Sequence, residues 1–125
     1  MIATYTLVKL PLLTPGGQLR WNIDSSSSQQ AVKVSNGRIE LRGWLLAESE
    51  PFARLAVKNS IGTYCFPFNI RRPDVISAIL ELPAENHPRL LCGFDIKVPF
   101  SSQMTIGLES DGLITWLEEL IFSPA

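Results

Sequence analysis

The stretch Phe94-Asp95-Ile96-Lys97-Val98-Pro99-Phe100 constrains this chain most, because Phe94, Ile96, Val98 and Phe100 fall at every second position and alternate with the charged Asp95 and Lys97. Period two marks a strand with one face buried and the other in water. A helix written this way would scatter its apolar residues around the whole circumference. The alternation recurs along the chain. Ile39, Leu41, Gly43 and Leu45 share one face over 38–47, and Arg38, Glu40 and Arg42 share the other. Ala53, Leu55 and Val57 face away from Arg54 and Lys58. Met104, Ile106 and Leu108 alternate with Thr105 and Glu109. Tyr64, Phe66, Phe68 and Ile70 line one face of a strand over 63–70. Pro67 lacks a donor N–H, so that strand belongs at a sheet edge or carries a bulge.

Turn signals separate these segments. Asn36-Gly37 and Asp111-Gly112 favour tight hairpin turns, and Thr14-Pro15-Gly16-Gly17 breaks the chain early. Further strands are expected over 2–13, 19–24 and 31–34. The segment 113–122 alternates less cleanly, which predicts either two covered faces or a bulge. The polar run Ser25 to Gln30 reads as a surface loop. Only 72–82 changes period. Pro73 suits a first helical position, Asp74 suits a first turn, and Val75, Ile76, Ile79 and Leu80 follow at helical spacing. This predicts a short helix across the end of the strands, stopped by Pro83. A loop over 84–90 follows, with Asn86, His87 and Pro88 at its tip. The expected fold is all-β: an Ig-like antiparallel β-sandwich of roughly seven to nine strands with one short helix. With 125 residues and 46% hydrophobic composition, 1–125 reads as a single self-supporting domain. Residues 1–20 read as an added strand or a linker remnant.

Charge and chemistry narrow the function. A net charge of −1 attracts no polyanion, so nucleic acid is not an expected partner. Cys65 and Cys92 form no CxxC pair, so no metal or cofactor is expected. They read as two small buried thiols in a reducing compartment, or as a disulfide if the chain is exported. The N-terminus lacks a basic region ahead of an apolar run, and no apolar stretch of about 18 residues occurs. The expectation is a cytoplasmic protein with no membrane span. His87 is the only histidine, and nothing in its neighbourhood completes a nucleophile–base–acid set. Glu118 and Glu119 are adjacent on a strand, point to opposite faces, and cannot work as an acid–base pair. The chain therefore reads as non-enzymatic.

Candidate binding residues are few. Strict alternation places Trp44 beside Glu40 and Arg42, where its ring is free to stack on a sugar. A bulge at Gly43 would instead turn it into the core. Trp21 and Trp116 pose the same choice between stacking and packing. Arg71, Arg72 and Asp74 form a polar cluster. An arginine there suits a carboxylate or phosphate, whereas Asp74 capping the helix and accepting from Arg72 would make a structural turn. Arg71 is the freer of the two arginines and the better ligand candidate.

Four landmarks carry a family resemblance: Trp21-Asn22-Ile23-Asp24, Ile39-Glu40-Leu41-Arg42-Gly43-Trp44-Leu45, Arg72-Pro73-Asp74-Val75 and Cys92-Gly93-Phe94-Asp95-Ile96. In this order and spacing, from about Trp21 to Phe122, the chain resembles the small β-sandwich domains of bacterial glycosyltransferases and related polysaccharide-assembly enzymes. The resemblance implies an accessory role: binding glycan or positioning a glycosyltransferase partner, alone or within a longer chain. It transfers no catalytic set. The alternative is a protein-interaction or self-association module that pairs through an edge strand, either the first strand or the one that contains Pro67.

Overall fold

The computed structural model describes residues 2–14, 19–24, 32–47, 52–85 and 87–124. Among the described residues ten strands run in chain order: β1 (Ile2–Pro11), β2 (Leu19–Ile23), β3 (Val32–Ser35), β4 (Arg38–Ala47), β5 (Arg54–Lys58), β6 (Thr63–Phe66), β7 (Ile70–Arg71), β8 (Leu91–Pro99), β9 (Gln103–Ser110) and β10 (Leu113–Pro124). Every pairing is antiparallel. The hydrogen-bonded order is β6-β5-β9-β10-β1-β3-β4-β8-β7, with β2 also on β4. The sheet curls into a half-barrel. The polar run Ser25–Gln30 lies outside the described residues.

The two hairpin dipeptides form tight turns. Asn36 and Gly37 take φ values of 54° and 73°, and Asp111 and Gly112 take 53° and 80°. Positive φ at both central residues matches the right-handed twist of the flanking strands. They join β3 to β4 and β9 to β10.

One core fills the half-barrel. Ile39, Leu41, Leu45, Phe94, Ile96 and Val98 come from β4 and β8, and Leu55, Val57, Met104, Ile106, Leu108, Leu120 and Phe122 from β5, β9 and β10. These are the inward sets that the alternation predicts. β1 joins the two halves: residues 2–5 pair with β3 and residues 5–11 with β10. It lies between two strands, so the first strand is not the sheet edge expected from sequence. The edge at the β5 end of the order is β6.

Two departures from the expected elements have local causes. The strand over 63–70 is split, because it ends at Phe66 just before Pro67. Pro67, Phe68 and Asn69 then carry the chain from one end of the sheet order to β7 at the other. Phe66 and Phe68 still pack on the core, but Ile70 is exposed. The second departure is the helix. It forms as a short α turn, α1 (Pro73–Val75), that widens into one π turn over Ile76–Leu80. It covers the outer face of β4 rather than the end of the strands. Val75 and Ile76 bury against Leu46 and Cys92, with Trp44, Ile79 and Leu80 packed around them. The cause is in β4 itself, where Leu45 faces the core and Trp44 and Leu46 present an outward apolar pair that needs cover.

The uneven alternation of 113–122 left two outcomes open, and the one that occurs is a bulge in β10. Trp116 pairs with Gly107 and Glu118 with Ile106, so Leu117 is the extra residue. Strict alternation would set Trp116 and Glu118 on one face; the bulge puts them on opposite faces. Glu118 and Glu119 do divide between the faces as expected, with Glu118 inside.

Glu118 is 7% exposed and takes a hydrogen bond from the Trp21 indole, with Lys9 nearby. Lys9 Nζ donates to the Ile23 carbonyl at 3.4 Å, reaching across from β1 to β2 where the two do not share a ladder. Burial pushes the Glu118 carboxyl above the ordinary glutamate value of 4.5, and Lys9 and Trp21 offset only part of that rise. The folded state thus keeps this proton to higher pH than the unfolded chain. Glu118 costs no stability below the unfolded pKa, and its burial becomes increasingly unfavourable as pH rises through the folded one. Relative to the native chain, Glu118→Gln should gain stability as pH rises from about 4 to about 7. Urea midpoints across that range test this; a pH-independent difference would contradict it.

Candidate functional site

The outer face of β5, β9 and β10 brings together an indole, two cations, two carboxylates and a hydroxyl. Cross-strand register sets it out in three rows. Arg54, Glu109 and Ile114 align, as do Ala56, Gly107 and Trp116, and Lys58, Thr105 and Glu119. The middle row decides the shape. Ala56 and Gly107 are small and buried, so they leave a shallow floor. A Cβ on Gly107 would lie 2.7 Å from Trp116 Cε3, so the indole rests directly on the glycine backbone. Trp116 is half-buried there, and Lys58 Nζ stands 4.9 Å from its ring centroid.

Polar groups surround the indole. On one side, Arg54 Nη2 and Nε reach Glu109 Oε1 at 2.7 and 3.3 Å. This pair holds the Arg54 guanidinium further from deprotonation than usual. On the other side lies a cleft of about 380 Å³ lined by Lys58, Asn59, Ser60, Ser101, Ser102, Gln103, Thr105 and Glu119. Hydroxyls, an amide and a carboxylate dominate it. Gln103 Nε2 donates to Glu119 Oε1 at 3.1 Å, and Ser101 Oγ donates to the Gln103 carbonyl at 2.8 Å. Asn59 sets the cleft's shape. Its Oδ1 accepts from the Ile61 and Gly62 amides at 2.9 and 3.1 Å, and its Nδ2 donates to the Pro99 carbonyl at 2.9 Å. The turn after β5 is thereby tied to the end of β8.

The other two tryptophans sit elsewhere. Trp21 is 7% exposed within the core, so its ring is out of reach of a ligand. Trp44 is half-buried under the helical segment. Its register is regular, with Gly43 opposite Phe94 and Trp44 opposite Gly93, so no bulge turns it into the core. It faces outward as strict alternation predicts, but the helix covers it.

The polar turn is structural in geometry. Arg72 Nη1 reaches Asp24 Oδ2 at 2.8 Å, and its Nε and Nη2 reach the two Asp74 oxygens at 3.0 and 2.9 Å. Arg72 thus ties the end of β2 to the start of the helix. The pairing holds the Asp74 carboxyl below its ordinary range. Asp74 accepts from Arg72 as expected. It does not cap the helix, because Arg72 occupies the cap position and no side chain makes a capping bond there. Arg71 is exposed on β7, at the opposite end of the sheet order from the β5–β6 pair. His87 is half-buried, and its Nδ1 accepts the Arg89 amide at 3.0 Å.

Cys65 and Cys92 are both free thiols. Cys92 is 3% exposed beneath the helix, and burial pushes its thiol up to about 11. The thiolate is the reactive form. Iodoacetamide at about pH 8 should therefore modify Cys92 only on unfolding, while half-buried Cys65 reacts in the native domain. Peptide mass mapping with and without urea checks this; native labelling of Cys92 would contradict it.

Among the described residues, no group of three His, Cys, Asp or Glu side chains is placed to hold a metal ion. Among the same residues, no helix is long and apolar enough to cross a membrane. No family model, curated protein or solved structure matches the chain.

Lys58, Thr105, Glu119, Gln103 and Asn59 carry no distinguishing signal in the sequence. Each is an ordinary polar residue on an alternating strand or turn. Cross-strand register sets Lys58, Thr105 and Glu119 in the row next to Trp116, and the cleft joins Gln103 and Asn59 to them.

Proposed function

We propose that this domain is a non-catalytic recognition module that binds glycan chains on its β5–β9–β10 face, as an accessory to bacterial surface-polysaccharide synthesis in the cytoplasm. One observation carries the reading: an indole laid on Gly107, bordered by charged groups and a hydroxyl-rich cleft. Sugar rings offer an apolar C–H face and a rim of hydroxyls, and this surface offers a counterpart to each. The link to a glycosyltransferase rests on the four landmarks alone. In the same reading, the half-barrel is a variant of the Ig-like sandwich in which β1 passes between the two halves.

Calorimetry against bacterial polysaccharide fragments tests the proposal. The native domain should bind a subset of them with modest affinity, since a shallow face preorganises little contact. Trp116→Ala should weaken that binding by about ten-fold or more, the scale of one central aromatic contact. Silence across the panel would remove the glycan reading.

A second reading draws on the strand next to that face, where Leu10 pairs with Glu119. Val8, Leu10, Leu12 and Leu13 are 53%, 43%, 48% and 43% exposed, forming an apolar run along and just past β1. Exposed apolar runs of this kind mark protein contacts. If Leu10→Lys abolishes a concentration-dependent association seen by sedimentation, the interaction reading gains; a native chain that stays monomeric removes self-association.

A further inference from the structure

We infer that the Trp116 face selects acidic saccharides, with the acid group of the sugar seated at Lys58. This rests on the glycan reading above and adds the charge of the ligand to it. Arg54, Lys58, Glu109 and Glu119 are the charged side chains of the three rows. Arg54 is already committed to Glu109, whose side chain is only 10% exposed. Glu119 accepts the Gln103 amide. It lies across Thr105 from Lys58, about 10 Å away along the sheet.

Lys58 differs from the other three. Among the described residues it makes no ion pair, and its recorded partner is the Trp116 ring. A cation over an aromatic ring at an exposed site is a weak contact. The lysine stem is long and flexible, so the ammonium moves easily. A neutral sugar competes with that ammonium for the indole face and gives it nothing in return. A carboxylate-bearing sugar draws the ammonium aside into an ion pair and leaves the indole to the ring. The same pose directs sugar hydroxyls to the Glu119 carboxylate and the serine-lined cleft.

The test is calorimetry with uronate-containing bacterial oligosaccharides and their carboxyl-reduced counterparts. The acidic form should bind about two- to five-fold more tightly at low salt. Salt at about 0.5 M should shrink that preference, because an exposed ion pair is screened. Lys58→Met should erase the preference while binding of the reduced form persists or improves. Lys58 is exposed on a strand end, and an unchanged thermal transition for the variant confirms that its fold is intact. Equal affinity of the native domain for both forms overturns the acidic selectivity and leaves the glycan reading standing. Binding of neither form across the panel overturns both.

Discussion

Gly43→Ala should destabilise the domain by about 3 kcal/mol, with the urea midpoint falling sharply. Gly43 lies on the core face of β4, where β2 and β8 flank it. A Cβ at this position would drive into the backbone carbonyl oxygen of Asn22, sit 2.9 Å from the Phe94 ring and 3.1 Å from the Ile23 Cα. Two of the three obstacles are backbone. A side chain relieves such a contact by changing rotamer, but a strand relieves it only by moving. Moving β2 strains its ladder to β4 and the Arg72 bridge from Asp24 to Asp74. The expected loss is large because a domain of this size has only about 5–15 kcal/mol in hand. A near-native midpoint for Gly43→Ala would show that β2 does not lie so close. The Gly43-Trp44 step thereby acquires a physical reason: the glycine makes room for β2, and the tryptophan anchors the helix cover.

Phe94→Ala should cost about 3–5 kcal/mol. Phe94 is 2% exposed and belongs to the core shared by both halves of the half-barrel. Truncation removes its apolar burial and leaves a cavity that strands on both sides cannot collapse to fill. If the alanine variant fails to fold, Phe94→Leu, which keeps most of the volume, should fold with a loss of about 1–2 kcal/mol. Phe94→Leu as stable as the native chain would place the ring outside the core. The two sites are in contact, so the costs of Gly43→Ala and Phe94→Ala should not add. Shortening Phe94 removes the ring from the path of the methyl introduced at position 43, but the Asn22 carbonyl stays in place. The double variant should therefore be less unstable than the sum, yet clearly worse than Phe94→Ala alone.

The Trp116 face shows where the sequence stops being legible. Trp116 is a candidate from sequence, but its side is not readable there, because the extra residue Leu117 reverses the parity of everything before it relative to Glu118. A bulge leaves little trace in composition. Gly107 carries the strongest available signal, a glycine inside an otherwise alternating strand, which often marks a close approach. The approaching group comes from β10 and is found only once the register is known. Lys58 and Glu119 are 61 positions apart in the chain and become neighbours through Thr105. Arg72 and Asp74 are legible as a pair because they are local; their tie to Asp24 is not.

What the sequence determined by itself is the set of inward faces and two of the turns. Ile39, Leu41 and Leu45, then Phe94, Ile96 and Val98, then Met104, Ile106 and Leu108 all bury as their alternation requires. Asn36-Gly37 and Asp111-Gly112 turn as their dihedral freedom allows. These outcomes depend on residues within a few positions of one another. The tertiary structure alone decided that β1 passes between the two halves, that the helix covers Trp44, and that the Leu117 bulge sends Trp116 out and Glu118 in. Each depends on which strand becomes a neighbour. That choice follows from how the whole set of apolar faces closes on one core, and no local stretch encodes it.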